Sequence, residues 1–222
     1  MRYISEFRDP RVARALIAQL HELAQEGGEH TFMEVCGTHT MSVYRHGIKD
    51  VLPPNVELIS GPGCPVCVTP QSYMDHAVAL ARRPETILTT FGDMMRVPGS
   101  TSSLEAEKAH GADIRVVYSP MESLQVAREH PGHAVVFLAV GFETTAPLVA
   151  ATVLAAEREG LENFYVLVAH KTIPETMRAL AESGELGLDG FLCPAHVSTI
   201  IGTEGVPVPG RGVPAALCDR RL

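Results

Sequence analysis

Short, continuous apolar runs that alternate with helical patterns are the feature that most restricts the fold of this chain. Runs of this kind are typical of strands buried on both faces, and the helices between them supply the crossovers of a parallel sheet. The sequence therefore predicts an α/β protein whose parallel sheets are covered by helices. The predicted strands are residues 31–35, 56–60, 86–90, 114–118, 134–140, 163–169 and 190–193.

Helical spacing of apolar residues predicts the intervening segments as helices. These helices are expected at residues 9–25, 70–83, 102–111, 119–129, 147–158, 173–183 and 197–201. Pro131-Gly132 interrupts both kinds of periodicity and is the best candidate for a domain boundary. We therefore expect two Rossmann-like domains, at residues 1–130 and 131–203, the second incomplete, followed by an irregular Pro- and Gly-rich tail at 204–222.

Composition excludes several classes of function. The 222 residues carry a net charge of −8, and binding to nucleic acid needs clustered Lys and Arg that this sequence lacks. No apolar run approaches the roughly 20 residues of a membrane span. The N-terminus lacks the apolar centre and the cleavage site of a signal peptide. We expect a cytoplasmic protein with no nucleic-acid or membrane partner.

Cysteine and histidine cluster in three loops, each of which directly follows a predicted strand. The loops are CGTH at residues 36–39, GPGCPVC at 61–67 and CPAH at 193–196. Open α/β sheets build their sites at the carboxyl edge, so we expect the first two loops to face a common cleft. Thiol and imidazole groups at such an edge indicate metal or thiol chemistry.

Cys64 and Cys67 form a C-x-x-C pair. Two thiols at this spacing can share a metal ion or close a small redox disulfide. A structural zinc site needs a second pair at suitable spacing, and the sequence contains none, so redox exchange or transient metal binding is favoured. The alternative is a pair of inert thiols buried in a tight turn.

Cys36 lies just after a strand and three residues before His39. A thiol beside an imidazole and a helix N-terminus is expected to have a lowered pKa and to act as a ligand or a nucleophile. Alone, this spacing is weak evidence, because a single Cys near a His more often reflects packing. The hypothesis gains support from the C-x-x-C pair expected at the same edge.

Two loops of the second half are open to two interpretations. One loop follows a strand and contains Glu143, Thr144 and Thr145. Either Thr145 caps the next helix, or the loop forms a site for an anion or a partner. His196 is either a ligand or a group that caps the following helix or bonds a neighbouring loop. Cys193 is expected to do no more than pack its turn.

Six motifs occur in a fixed order along the chain, over about residues 10–203. They are CGTHT, GPGCPVC, FGDMMRVPGS, YSPMES, AVGFETTAP and CPAHVSTIIG. Together they resemble the HypD family, the maturation factors of nickel–iron hydrogenases. The motifs are long, and all six in this order would not arise by chance.

The resemblance implies two α/β domains around a cleft and an assembly scaffold with redox-active thiols instead of a conventional enzyme. Such a scaffold binds iron and, with a small HypC-like chaperone and a HypE-like cyanide donor, supports assembly of the Fe(CN)2CO centre. The iron-ligand cysteine of the family matches Cys36, and its neighbouring histidine matches His39. The redox pair of the family matches Cys64 and Cys67.

The resemblance also assigns the loops of the second half. The Glu-Thr-Thr and His-Val-Ser loops of the family match residues 143–145 and 196–198, so we expect a binding role for Glu143, Thr144, Thr145 and His196. The family binds a 4Fe-4S cluster through four C-terminal cysteines, whereas only Cys218 follows the last motif here. We therefore expect a C-terminally truncated chain that assembles no such cluster.

Two other functions stay open from the sequence. One is a thiol–disulfide oxidoreductase in which Cys64 and Cys67 act on protein substrates independently of Cys36. The other is an inactive, truncated binding module. Iron that is lost with Cys36→Ala would favour the scaffold, and disulfide exchange independent of Cys36 would favour the oxidoreductase.

Overall fold

The computed structural model describes residues 8–25, 27–183 and 187–202. In these ranges the chain forms two all-parallel sheets with helices between successive strands, which confirms the α/β prediction. The irregular tail expected at residues 204–222, which includes Cys218, lies outside the described residues. None of the helices in the described ranges combines the length and the apolar character needed to cross a membrane.

The helices and strands follow one another with short connections. In chain order they are α1 (Pro10–Gln25), β1 (His30–Glu34), α2 (Gly37–Arg45), β2 (Val56–Ser60), α3 (Gln71–Ala81), β3 (Thr86–Thr90), α4 (Leu104–Ala109), β4 (Asp113–Val116), α5 (Glu122–Glu129), β5 (Ala134–Ala139), α6 (Ala146–Glu159), β6 (Phe164–Val168), α7 (Ile173–Ser183), β7 (Gly190–Leu192) and α8 (Ala195–Ile201). Two short 3-10 helices, Ile48–Val51 and Gly92–Arg96, precede β2 and follow β3.

The strands divide between two sheets. The three-stranded sheet has the order β2-β1-β7, and the four-stranded sheet has the order β4-β3-β5-β6. The chain correspondingly forms two compact units. The first unit contains the residues up to Gly63 and those from Pro174 onward, and the second unit is Cys64–Ile173.

This division differs from the boundary expected near residue 130. β3 and β5 lie on opposite sides of that position, yet they pair in one sheet with Thr86 opposite Ala134. The Pro-Gly break is a turn within the second unit, where the Asn163 side-chain amide donates hydrogen bonds to the carbonyls of residues 127, 130 and 133. A local break in periodicity cannot reveal which strands pair, because pairing is decided by contacts far apart in sequence.

The second unit buries both faces of its sheet, as expected for a parallel sheet. One face, which includes Leu88 and Leu138, packs against α3, α4 and the second 3-10 helix. The other face, which includes Phe137, packs against α6, while Ile87 and Val135 pack against α5. Each fully buried aliphatic or aromatic side chain contributes about 1.5–3 kcal/mol to folding, so this sheet is the main stabilising core of its unit.

The strand order reverses at one position in each sheet. In the first unit the chain leaves β1 for β2 on one side, and β7 lies on the other side of β1. In the second unit, β4 and β5 flank β3 in the same way. Open parallel sheets bind their ligands at the carboxyl ends of strands where the order reverses. The loops after β1, β7, β3 and β5 are therefore the positions at which a site is expected.

Candidate functional site

Cys36 lies at the reversal point of the first unit. The backbone N–H of Val35 donates to the Leu192 carbonyl at 3.1 Å, which continues the β1–β7 ladder for one residue past β1. Cys36 is still extended, with φ −163° and ψ 121°, and α2 begins at the next residue. Its thiol makes no capping hydrogen bond and only 3% of the residue is exposed. The structure thus presents a buried thiol at the first turn of a helix.

The turn after Cys36 is fixed by backbone contacts. Thr40 donates its N–H to the Cys36 carbonyl at 3.2 Å, and Gly37 donates its N–H to the Gly63 carbonyl at 3.2 Å. His39 is half-buried in the first turn of α2. Its position three residues after Cys36 places the imidazole on the same side of the helix as the thiol. The expectation that Cys36 and His39 form one local group is consistent with this backbone.

Gly63 occupies a position that only glycine fits. A Cβ added there would lie 2.5 Å from the backbone nitrogen of Cys36 and 2.6 Å from that of Gly37. These are backbone atoms and cannot rotate away. The Gly-Pro-Gly sequence before the C-x-x-C pair therefore has a packing role, which is to let the loop after β2 pass directly against the Cys36 turn.

Glu34 is a site residue that reasoning from the sequence missed. Its side chain is fully buried at the end of β1, and neither carboxylate oxygen has a hydrogen-bond partner in the described part of the chain. A buried polar group without a partner is uncommon in native proteins and calls for an explanation. The available signal was an acidic residue between apolar ones, in the sequence Phe-Met-Glu-Val-Cys that leads to Cys36.

The loop after β7 is the neighbour of the Cys36 loop, because β7 pairs with β1 and Leu192 lies opposite Glu34. Cys193 is half-buried, and His196 is exposed in the first turn of α8. The proposed capping of this helix by His196 does not occur, since the residue preceding α8 is Pro194 and no side chain makes a capping hydrogen bond.

Cys64 and Cys67 begin the second unit and are joined as a disulfide with their Cα atoms 5.2 Å apart. Cys67 is exposed and Cys64 is half-buried. The backbone N–H of Cys67 donates to the sulfur of Cys64 at 3.2 Å. The pair therefore has the proximity that disulfide exchange requires, with one exposed residue and one sulfur that accepts a hydrogen bond from a backbone N–H.

The Glu-Thr-Thr loop follows β5 at the reversal point of the second unit. One oxygen of Glu143 accepts a 2.8 Å hydrogen bond from the backbone N–H of Ile173, the first residue of α7. The other oxygen is buried without a hydrogen-bond partner among the described residues, as is the hydroxyl of Thr90 at the end of the adjacent β3. Glu143 thus caps α7 with one oxygen while the other is buried without a partner among the described residues, and Thr144 is half-buried beside it.

Thr145 precedes α6, but its hydroxyl does not cap that helix. The hydroxyl donates to the Phe142 carbonyl at 3.1 Å and lies 3.1 Å from Nε2 of His170. Burial lowers the pKa of His170. The capping interpretation of Thr145 is therefore wrong, and the residue instead ties its loop to the loop after β6.

The predicted site residues divide between the two units. The first unit contains Cys36, His39 and His196. The second unit contains Cys64, Cys67 and residues 143–145. The common cleft for the first two loops stays a prediction. Across the described ranges, no three His, Cys, Asp or Glu side chains lie close enough together to hold a metal ion.

Comparison with known proteins identifies relatives over almost the whole chain. The family model for HypD, described as "Hydrogenase formation hypA family", matches residues 11–208. The chain is 50% identical over 207 residues to the hydrogenase maturation factor HypD of Rhodobacter capsulatus, with 91% of this chain and 55% of the relative covered.

Two further relatives agree. Identity is 49% to hydrogenase maturation factor HypD of Azotobacter vinelandii, over 94% of this chain and 57% of the relative. It is 46% to the factor of the same name from Escherichia coli, over 92% of this chain and 56% of the relative. The chain thus spans a little more than half the length of these curated relatives. On this evidence, the chain belongs to the HypD family of hydrogenase maturation factors.

Proposed function

We propose that this chain is a scaffold for hydrogenase maturation that holds iron(II) as its cargo at Cys36. In this proposal the iron receives two cyanide ligands and one carbon monoxide ligand while it is bound. A HypC-like chaperone and a HypE-like cyanide donor are the proposed partners. Cys64 and Cys67 are proposed to exchange electrons during the process.

The observation that carries this proposal is the buried thiol of Cys36 at the reversal point of a parallel sheet. Thiolate donors suit a low-spin iron centre with strong-field ligands. The N-terminal end of α2 carries the positive end of the helix dipole, which favours a negatively charged group such as a thiolate or bound cyanide. His39, on the same side of this helix, is the second group proposed to contact the cargo.

The disulfide pair supports the redox part of the proposal. Reduction of the Cys64–Cys67 disulfide consumes two electrons and two protons, and oxidation of the dithiol returns them. An external dithiol, which is itself oxidised to a disulfide, balances this exchange. The sulfur of Cys67, the more exposed residue of the pair, is the proposed point of attack, and Cys64 is the leaving group.

The loops at the reversal point of the second unit are the proposed partner surface. Glu143 offers a buried oxygen without a partner among the described residues, and Thr144 and Thr145 lie beside it. A carboxylate with a free acceptor favours an N–H donor, such as an amide or a guanidinium group. We propose that a partner protein supplies this donor, and that His196 contributes to the corresponding surface of the first unit.

The test is anaerobic purification of the chain with iron(II), followed by measurement of the iron content. Wild type is expected to retain iron that Cys36→Ala loses. The matched control is Cys193→Ser, which removes a thiol from the neighbouring loop and should retain iron. Equal iron in wild type and Cys36→Ala would contradict the scaffold function.

A second candidate function is a thiol–disulfide oxidoreductase, and the disulfide of Cys64 with the exposed residue Cys67 is the observation that favours it. In that case the chain should catalyse reduction of a disulfide in a protein substrate. The activity should be lost with Cys67→Ser and should be unaffected by Cys36→Ala. Activity that depends equally on Cys36 would favour the scaffold instead.

A further inference from the structure

Among the described residues of the first unit, the buried carboxylate of Glu34 is the least satisfied polar side chain. None of its surface is exposed, and both oxygens lack a hydrogen-bond partner among the residues described. Its neighbours in the sheet register are Ser60 and Leu192, neither of which carries a positive charge. A buried carboxylate without a counter-charge is strongly unfavourable, so the fold keeps this group at a considerable cost.

The direction of the Glu34 side chain relates it to Cys36. The ladder continues through Val35, and Cys36 is still extended. Side chains alternate between the faces of an extended strand, so Glu34 and Cys36 emerge on the same face and Val35 emerges on the opposite face. Two residues along a strand separate their Cα atoms by roughly 6.6 Å, and both side chains are buried on that face.

This spacing suits a single metal ion between the two side chains. Transition-metal bonds to thiolate sulfur are about 2.3 Å long, and those to carboxylate oxygen are about 2.0–2.2 Å. A Glu side chain is long enough to bring its oxygen to an ion held by the neighbouring thiolate. One thiolate and one carboxylate also neutralise the two positive charges of iron(II), which removes the cost of a buried, unpaired anion.

We propose that Glu34 is the second protein ligand of the iron(II) held at Cys36. This inference rests on the function proposed above and adds an oxygen donor to it. Because the described residues offer no cluster of three ligating side chains, Cys36 and Glu34 are the pair of protein donors in this arrangement, and His39 contacts the cargo through its bound ligands and not through the metal. The remaining coordination positions are left for the cyanide and carbon monoxide ligands and for a donor from a partner protein.

The experiment uses cobalt(II) alone as a spectroscopic probe, titrated anaerobically into the complete chain. Cys64 and Cys67 are replaced by Ser in every variant, so that their sulfur atoms cannot contribute. Glu34→Gln keeps the shape of the side chain and removes its charge. Glu57→Gln makes the same chemical change at an exposed position of the same sheet and is the matched control. The readouts are the cobalt(II) dissociation constant and the sulfur-to-cobalt charge-transfer absorption.

Glu34→Gln should weaken cobalt(II) binding at least about tenfold, the lower limit for changes even to groups that only support metal ligands. The charge-transfer absorption should persist at saturation, because the thiolate of Cys36 remains. Glu57→Gln should bind cobalt(II) with the same dissociation constant as the background protein, in which only Cys64 and Cys67 are replaced by Ser. Glu34→Asp, which keeps the carboxylate on a shorter side chain, should retain more affinity than Glu34→Gln.

The possible failures are distinguishable. If Cys36→Ala abolishes the absorption and Glu34→Gln leaves the dissociation constant unchanged, Glu34 is not a ligand and the scaffold function stands. If Glu34→Asp, which shortens the side chain, weakens binding and Glu34→Gln, which keeps its shape, does not, Glu34 acts through packing alone and the proposal is overturned. If Cys36→Ala binds cobalt(II) as the background does, both proposals fail.

Discussion

Replacement of Gly63 by Ala tests the turn around Cys36 most directly. The added Cβ would lie 2.5 Å from one backbone nitrogen and 2.6 Å from the next, whereas an ordinary contact begins at 3.4 Å. Because no side-chain rotation relieves this overlap, one of the two backbone segments must move by roughly 0.9 Å.

The cost can be worked out from the contacts that this movement disturbs. Overpacking of this kind costs about 1–3 kcal/mol, and the hydrogen bond from Gly37 to the Gly63 carbonyl, worth about 1 kcal/mol, is lost with it. We therefore expect Gly63→Ala to lower the free energy of unfolding by roughly 2–4 kcal/mol. A displacement near 1 Å at a reacting group can cost about 100-fold in activity, and we expect a comparable loss of metal affinity at Cys36.

Urea unfolding followed by circular dichroism measures the first quantity, and cobalt(II) titration measures the second. The control is Gly132→Ala in the second unit, where an added Cβ meets nothing within 4 Å and stability should change by no more than about 0.5 kcal/mol. A Gly63→Ala protein with the stability and the metal affinity of this control would refute the close approach of the two loops.

The remaining predictions concern one ion pair and three cysteines. Arg82 donates two hydrogen bonds to Glu107 and holds the pKa of that carboxyl at about 2 instead of 4.5. The resulting stabilisation is present above pH 4.5 and is lost as the pH falls through about 2, so urea midpoints of wild type and Glu107→Gln should differ above that window and converge below it. With Cys64→Ser, the exposed Cys67 should form a mixed disulfide with glutathione disulfide faster than Cys64 does in Cys67→Ser, as followed by mass spectrometry; equal rates would contradict the proposed order of attack. Cys193→Ser should leave cobalt(II) affinity unchanged because Ser nearly preserves the size of the side chain, and a large loss would place Cys193 among the ligands.

The sequence predicts the limits of the individual strands well, because turn-forming residues directly precede and follow them. The predicted limits of β2 and β3, residues 56–60 and 86–90, are those of the structure. The length of α2 does not follow from its sequence, since Gly, Thr and His have modest helix propensity and the helix depends on tertiary contacts. Local patterns thus determine where strands lie more firmly than they determine helices that begin in functional loops.

The site could be predicted only in part. Cys36 and His39 are candidates because they follow a strand near the C-x-x-C pair, and the C-x-x-C spacing predicts a redox disulfide or a shared metal ion, of which the structure has the disulfide. Glu34 could not be recognised, because its importance comes from complete burial without a partner. Burial is a property of packing, and a single Glu in a strand-like run carries no sign of it.

The pairing of β1 with β7 has a consequence for the order in which the chain folds during synthesis. The backbone N–H of Thr31 bonds to the side chain of Asp189, which is 158 residues later in the chain. At about 5–20 residues per second, the ribosome needs roughly 8–30 s to make that intervening stretch. The second unit is continuous in sequence, and its synthesis ends before residue 189 is made. The second unit can therefore fold before β7 is available to pair with β1, the strand that leads to Cys36. A released chain that ends before residue 190 should therefore protect the second unit from protease and leave β1 and β2 accessible.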